Sequence, residues 1–451
     1  MNNDYINKYA TAHIKKGEAR ALKAGGAWIY DNEIESVSGD YNDGDILQVL
    51  DFDGYKLGYG FINSNSKIRI RMLSRYQKDA PDENFIRSRV QDALNYRQAV
   101  MPEVFDLEER DSYSNSCRLI FGEADWLPGL VVDLYRDVLV VESLSLGIDK
   151  LKSIIIDEII QYLSTININI VAVYERSDAP VRRKEGMEPY KGLIWSAETY
   201  DKPITEYLSR IPVSENGVKY KVDVINGQKT GFFLDQKYNR LAMQKIVQGV
   251  IKNKLSKDEA PFEMKVLDCF THMGTFALNC SLAIKAALGD EDKLSHVSVT
   301  GLDISDYAVS QATNNAATNE LSQIASFRTA NVLDELPKLY EAGQQYDVLI
   351  LDPPAFTKSR ESTKNAIKGY REINMKGLKL VKNGGYFATC SCSHFMTEDL
   401  FIQTVAQAAK AVHRRVRQIE FNTQAPDHPI LWSADESYYL KFLIFQVCDE
   451  K

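Results

Sequence analysis

Short runs in which apolar and polar residues alternate, broken by glycines, fill the chain as far as Ser74. Trp28-Ile29-Tyr30, Asp45–Leu50, Tyr55–Ile62 and Ile68–Leu73 follow period two and predict β-strands. Gly39-Asp40, Asp43-Gly44 and Asp53-Gly54 are turn signals between them, so this segment is expected to be a small β-barrel-like module. From Glu83 to Met101 the period lengthens, with Phe85, Val90, Ala93 and Leu94 near one face of a linker helix. Apolar runs at Arg118–Gly122, Gly129–Tyr135, Val138–Leu144 and Ile170–Glu175 flank a helical stretch near Lys150–Leu163. They predict an α+β domain reaching about Leu234.

Beyond that point strands and helices alternate. The pattern predicts helices at Gln236–Lys252, Thr275–Ala287, Tyr307–Asn319, Ile367–Leu380 and Asp399–Val412. Strands are expected at Met264–Phe270, Val297–Asp303, Ala325–Ala330, Tyr346–Leu351 and Tyr386–Ser391. Such alternation implies a doubly wound, mostly parallel sheet. Arg415–Phe421 and Tyr438–Gln446 then follow with no helix between them and should close the sheet as an antiparallel hairpin. That ending separates a Rossmann-like methyltransferase fold from a nucleotide-dehydrogenase fold. The expected fold class is therefore α/β, preceded by an α+β domain and a small β-barrel. The expected domains are residues 1–76, 77–234 and 235–451.

Composition narrows the class. A hydrophobic content of 44% and a charged content of 26% fit a soluble globular protein. No run approaches the ~18 apolar residues of a membrane span. Met1–Tyr5 shows no secretory signal, and the six cysteines are read as reduced cytosolic thiols, so a cytoplasmic location and no membrane partner are expected. The net charge of −8 argues mildly against nucleic acid as a partner, although local basic patches can supply the contacts.

Candidate chemistry lies at the strand ends, where open α/β sheets bind ligands. Val266–Phe276 reads as strand, loop and helix start with one loop glycine, Gly274, before Thr275. A dinucleotide fingerprint needs three glycines, so NAD is disfavoured and S-adenosylmethionine suits the loop. Asp268 would anchor the methionine amino group. Asp303, followed by Ile304, is placed to accept from ribose hydroxyls, or it or Ser305 is a helix N-cap. Asn331 is an adenine contact or a turn residue.

Asp352-Pro353-Pro354-Ala355-Phe356 ends one buried strand, and Cys390-Ser391-Cys392 ends another. Carbon 5 of a pyrimidine is a poor nucleophile, and a thiolate added at carbon 6 makes it enamine-like. Cys392 is the candidate nucleophile, Asp352 the group acting at ring nitrogen 3, and the Pro353 and Pro354 carbonyls hold the amino group of cytosine. The base that removes the carbon 5 proton is not identified. Cys392 also reads as a small buried residue, and Cys390 more strongly so. Without a Cys-x-x-Cys or histidine cluster beside them, a zinc site is disfavoured.

These residues together resemble the class I S-adenosylmethionine-dependent 23S rRNA 5-methylcytosine methyltransferases with an N-terminal PUA domain. The resemblance runs through Arg118–Leu130, Tyr174–Asp178, Val181–Met187, Asn226–Gln236, Asp352–Phe356, Gly369–Asn374 and Ser391–Ser393. It implies a PUA barrel before Ser74 and a cofactor pocket lined by Lys229, Thr230, Gly231 and Phe232 beside Asp268, Gly274, Asp303 and Asn331. It also implies Cys392 as nucleophile, Asp352 as the cytosine-recognising acid and large-subunit ribosomal RNA as partner. Family members often carry Asp where Asn331 stands. The sequence does not fix the oligomeric state, and a homodimer is one the resemblance allows.

Phe356 is a stacking platform for a flipped base or a packing residue. Lys67–Arg71, Arg182-Arg183-Lys184 and Arg414-Arg415 with Arg417 offer phosphate contacts across three domains. Two other readings stand beside the leading one. An amino-group methyltransferase would use the Asp-Pro-Pro turn without Cys392, and a non-catalytic RNA-binding protein would use the barrel alone.

Overall fold

The computed structural model describes residues 9–75, 81–198, 203–257, 262–289, 291–357, 361–434 and 437–450. The stretch Met1–Tyr5 and the expected domain boundary at residues 76–77 fall at or beyond the edges of these segments, 1–8 and 76–80 being outside the described residues. The chain forms two compact units, one of residues 1–213, 222–234 and 426–437, the other of residues 214–221, 235–425 and 438–451. Neither is continuous in sequence.

The first unit holds two sheets. In the first, six strands lie in the spatial order Trp28–Tyr30, Ile68–Arg75, Lys56–Ile62, Ile46–Leu50, Thr11–Ile14, Ile34–Ser38. Thr11–Ile14 runs parallel to Ile46–Leu50, and the other neighbours are antiparallel. Alternate residues Ala12 and Ile14, Leu47 and Val49, and Ile70 and Met72 point into one core, as period two requires. The second sheet has five strands in the order Tyr190–Ser196, Ala172–Ser177, Val138–Ser143, Leu130–Tyr135, Ser116–Phe121. Helices Glu83–Val100 and Leu146–Thr165 pack against each other beside it. The Asp82 carboxylate caps the first of these, accepting from Phe85 N at 2.8 Å. Arg97, within that helix, is fully buried and donates to Asp125, to the Arg118 carbonyl and, at 2.9 Å, to the Asp427 carbonyl.

The second unit is a seven-stranded sheet with helices. Its strands are β1 (Met264–Cys269), β2 (Val297–Asp303), β3 (Ala325–Thr329), β4 (Tyr346–Leu351), β5 (Val381–Ser391), β6 (Arg414–Asn422) and β7 (Lys441–Asp449). Their spatial order is β3-β2-β1-β4-β5-β7-β6. The first five are parallel and β7 is antiparallel to both its neighbours. β4 is buried along its whole length, which is why its sequence is continuously apolar rather than alternating. Reversal of direction between β1–β2 and β1–β4 puts a crevice at the carboxyl ends of β1, β2 and β4.

Two differences from the sequence expectation bear on the site. A helix, Val332–Glu341, stands where no element is expected. Asn331 caps it and Pro337 lies inside it, so the proline masks the helical spacing of Val332, Leu336 and Leu339. The last strand starts at Lys441 rather than Tyr438, because pairing with β5 begins at Ser391↔Lys441.

Glu215 and Arg240 form a fully buried bidentate pair at 2.5 and 2.8 Å. Removing one member leaves a charge stranded in low dielectric. Arg240→Met is expected to lower stability by about 3–5 kcal/mol, read as an earlier midpoint in urea denaturation.

Candidate active site

The loop after β1 is wound tightly. Phe270, His272 and Gly274 all have positive φ, at 67°, 51° and 85°. Only glycine adopts this region freely, so the two non-glycine residues must be held. Thr271 N donates to the Leu302 carbonyl at 2.8 Å, and His272 N donates to Asp303 Oδ2 at 2.9 Å. Asp303 thus clasps the loop from the end of β2, and its other oxygen accepts from Ser305 N at 3.0 Å. Ser305, not Asp303, is the cap of helix Asp306–Thr318, accepting from Ala308 N. A Cβ at Gly274 would lie 3.0 Å from the Phe327 ring. Thr275 is buried at the start of the following helix.

Asp268 is fully buried beside this loop. Its Oδ2 accepts from Thr271 Oγ1 at 2.5 Å and from Ala277 N at 2.9 Å. Its Oδ1 is buried with no hydrogen-bond partner among the described residues. Burial pushes its carboxyl up to about 7, and the nearby Asp352 and Asp303 carboxylates push the same way. Adjacent strands therefore gather acids at one sheet edge, with one oxygen unsatisfied. A cation beside Asp268 would relieve both costs.

Asp352 follows β4. Burial pushes its carboxyl up to about 6, opposed by donors from Cys390 and Gln236. Cys390 Sγ lies 2.6 Å from Asp352 Oδ1, and Gln236 Nε2 lies 3.2 Å from the same oxygen. The thiol that touches Asp352 is thus Cys390, not the expected nucleophile. Cys390 is fully buried, and burial with the adjacent carboxylate drives its thiol far above its ordinary value. It is a hydrogen-bond donor rather than a thiolate.

Cys392 lies just past the end of β5, half-buried, with Sγ 3.9 Å from the Pro353 carbonyl. A half-exposed sulfur at the strand end, over the Asp-Pro-Pro turn, is the one a substrate can reach. Phe356 is half-buried and packs on Tyr370, ring centroids 4.7 Å apart, which supplies the packing role. Tyr370 in turn accepts from Ser391 Oγ at 3.0 Å. Pro353 is buried and Pro354 exposed.

Several expected contact residues have described partners of their own. Asn331 is exposed and its side chain is used as a cap, accepting from Leu333 N at 3.1 Å. Ile304 is exposed. Lys229, Thr230, Gly231 and Phe232 belong to the first unit. There the Thr230 hydroxyl donates to Asp133 at 2.6 Å, and a Cβ on Gly231 would crowd Val222 and Val224. Lys229 is exposed at positive φ, its ammonium 4.9 Å from the Phe233 ring. Arg182 is corrected as a phosphate contact. Its guanidinium is buried and donates to the Ser143 and Glu188 carbonyls and to Asp149. Arg183 and Lys184 remain exposed. Gln236 and Cys390 contact Asp352, Tyr370 contacts Phe356, and Lys441 donates to the Ser393 carbonyl, contacts not expected from the sequence. Period two on β5 was the available signal for Cys390.

Residues 12–75 match a PUA-like domain, and residues 262–442 match a methyltransferase domain. Ribosomal RNA large subunit methyltransferase I of Shewanella frigidimarina is 34% identical over 96% of this chain and 98% of its own. The protein of that name from Alteromonas mediterranea is 34% identical over 97% and 98%. The chain belongs to the ribosomal RNA large subunit methyltransferase I family. The fold is shared with solved structures at 16% identity. One is SMU.776 complexed with SAH, TM-score 0.73 over 97% of this chain and 99% of that one. Another is a protein from Streptococcus mutans, TM-score 0.71 over the same shares. S-adenosylmethionine is the cofactor, and the unsatisfied Asp268 oxygen fits its ammonium group. Among the described residues no helix is long and apolar enough to cross a membrane.

A cation placed beside Asp268 lowers its carboxyl from about 7, so cofactor binding releases protons near neutrality and weakens as pH falls below about 7. In the free protein the raised value has the opposite sign, its stabilising contribution fading as pH climbs through about 7. Calorimetry in buffers of different ionisation enthalpy reads the proton release. Asp268→Asn is expected to weaken binding by ~10–100-fold.

Proposed function

We propose that this chain methylates carbon 5 of a cytosine in large-subunit ribosomal RNA. The RNA class follows from its relatives' names and the PUA-like domain. The observation that carries the cytosine reading is the division of labour between two thiols on β5. Cys390 is buried and bonded to Asp352, whereas Cys392 stands half-exposed at the strand end beside the Pro353 carbonyl.

In this reading the Cys392 thiolate forms a bond to carbon 6. The displaced π pair moves toward ring nitrogen 3, where the Asp352 carboxyl donates a hydrogen bond. A carboxyl held up to about 6 has a proton available there more readily than an ordinary aspartate. Pro353 and Pro354 carbonyls accept from the exocyclic amine. S-adenosylmethionine supplies the electrophilic methyl. Loss of the carbon 5 proton then restores the double bond and expels the thiolate. The exposed Arg183 and Lys184 support phosphate contact, and Phe356 supports the turn from behind by packing on Tyr370.

Cys392→Ala is expected to leave less than ~one-thousandth of methyl transfer, measured as 5-methylcytosine in the RNA by mass spectrometry. Near-normal transfer by that variant would point to amino-group chemistry instead. Cys390→Ala should retain turnover, because its sulfur is not the nucleophile. Its hydrogen bond holds the Asp352 carboxyl down, so its loss should move the alkaline fall in rate to higher pH. In ribosomal RNA from cells lacking the protein, one cytosine should be without its methyl group.

A further inference from the structure

Lys441 opens β7 directly across from Ser391, the last residue of β5. It is 1% exposed. Its ammonium donates to the Ser393 carbonyl at 2.7 Å and to the Tyr439 carbonyl at 3.0 Å. The side chain thus reaches past Cys392 to the residue on its far side. The Tyr438 ring lies 5.4 Å from the ammonium. Among the described residues no carboxylate forms an ion pair with it. A lysine charge buried against carbonyls and one aromatic face is costly unless something negative answers it.

Burial acts most strongly on it and disfavours the charge, and Cys392, Cys390 and Glu398 act in the opposite direction. Cys390 is already committed, since its Sγ donates to Asp352. Glu398 is exposed and receives the Tyr438 hydroxyl at 3.3 Å. Cys392 is left as the group able to answer the charge from inside the site.

We propose that Lys441 is the proton acceptor of Cys392, so that the resting nucleophile is a thiolate paired with a buried ammonium. The proposal rests on Cys392 being the reacting thiol. In the exchange the S–H bond breaks, its pair stays on sulfur, and the proton forms the third N–H bond on the Lys441 amine. Two N–H groups stay on the Ser393 and Tyr439 carbonyls throughout, so the amine does not reorient. Burial lowers Lys441 from its ordinary 10.5 to about 8, toward the ordinary thiol value of about 8.5. When the thiolate attacks carbon 6 its charge leaves the pair. The ammonium is then unanswered, which favours return of the electrons to sulfur at the end of the cycle. Lys441 is therefore a positioning residue that acts through Cys392.

The test needs neither RNA nor cofactor. The intact protein is alkylated with iodoacetamide across a pH series, and modification at Cys392 is separated from that at Cys390 by peptide fragmentation. The wild-type half-point is expected below the ordinary thiol value of about 8.5. Lys441→Met should raise it by about one unit or more, a ~tenfold loss of Cys392 alkylation rate at pH 7. Thermal melting checks that the variant is folded. A wild-type half-point at or above about 8.5 overturns the proposal even if the variant does not fold. So does a folded variant whose half-point is unchanged. If Cys392→Ala retains methyl transfer while the Lys441 shift is observed, the pairing stands and the covalent reading fails.

Discussion

Acids set close together away from water cost free energy, and the second unit gathers the fully buried Asp268 with the half-buried Asp303 and Asp352 at one sheet edge. Asp268, Asp303 and Asp352 end neighbouring strands β1, β2 and β4, and the first and last are pushed well above the ordinary aspartate range. Everything around them answers that constraint. Thr271, Ala277 and the His272 amide supply donors, the clasped loop keeps those donors in place, and one Asp268 oxygen remains unsatisfied. A protein that spends stability in this way is built to receive positive charge, and the cofactor's ammonium and sulfonium carry it.

The two cysteines of β5 show how one strand can assign opposite chemistry to like residues. Cys390 is inside the sheet, faces a carboxylate and is locked as a donor. Cys392 is past the last ladder pair, beside the Pro353 carbonyl, and one residue beyond the partner of Lys441 on the antiparallel neighbour. The antiparallel β7 is essential here. A parallel strand in its place would bring its carboxyl end, not a strand start with a lysine, to this edge.

Much of this was legible beforehand because a parallel strand announces itself as an apolar run and its ligand edge is where the run stops. The strand-end positions of Asp268, Asp303, Asp352 and Cys392 are all found that way. What escaped is what depends on pairing between distant segments. The Asp352–Cys390 contact joins two strands, and Lys441 acquires its place only when β7 registers against Ser391. Arg182 misled for the converse reason. A basic triplet reads the same whether its first guanidinium faces solvent or is folded over Ser143, Glu188 and Asp149. Asn331 was placed correctly at a strand end, but its amide is taken by the helix that Pro337 concealed.

The first unit is not finished by its own N-terminal half. Arg97, buried near the start of that unit, donates to the carbonyl of Asp427, and Arg118 N donates to the Asp427 carboxylate at 2.8 Å. Asp427 is encoded close to the end of the chain. The Arg97 guanidinium therefore gains that acceptor only when a segment 330 residues away is brought back to it. The contact that completes the first unit thus ties helix Glu83–Val100 to a distant stretch of chain, and it forms only when that long loop closes.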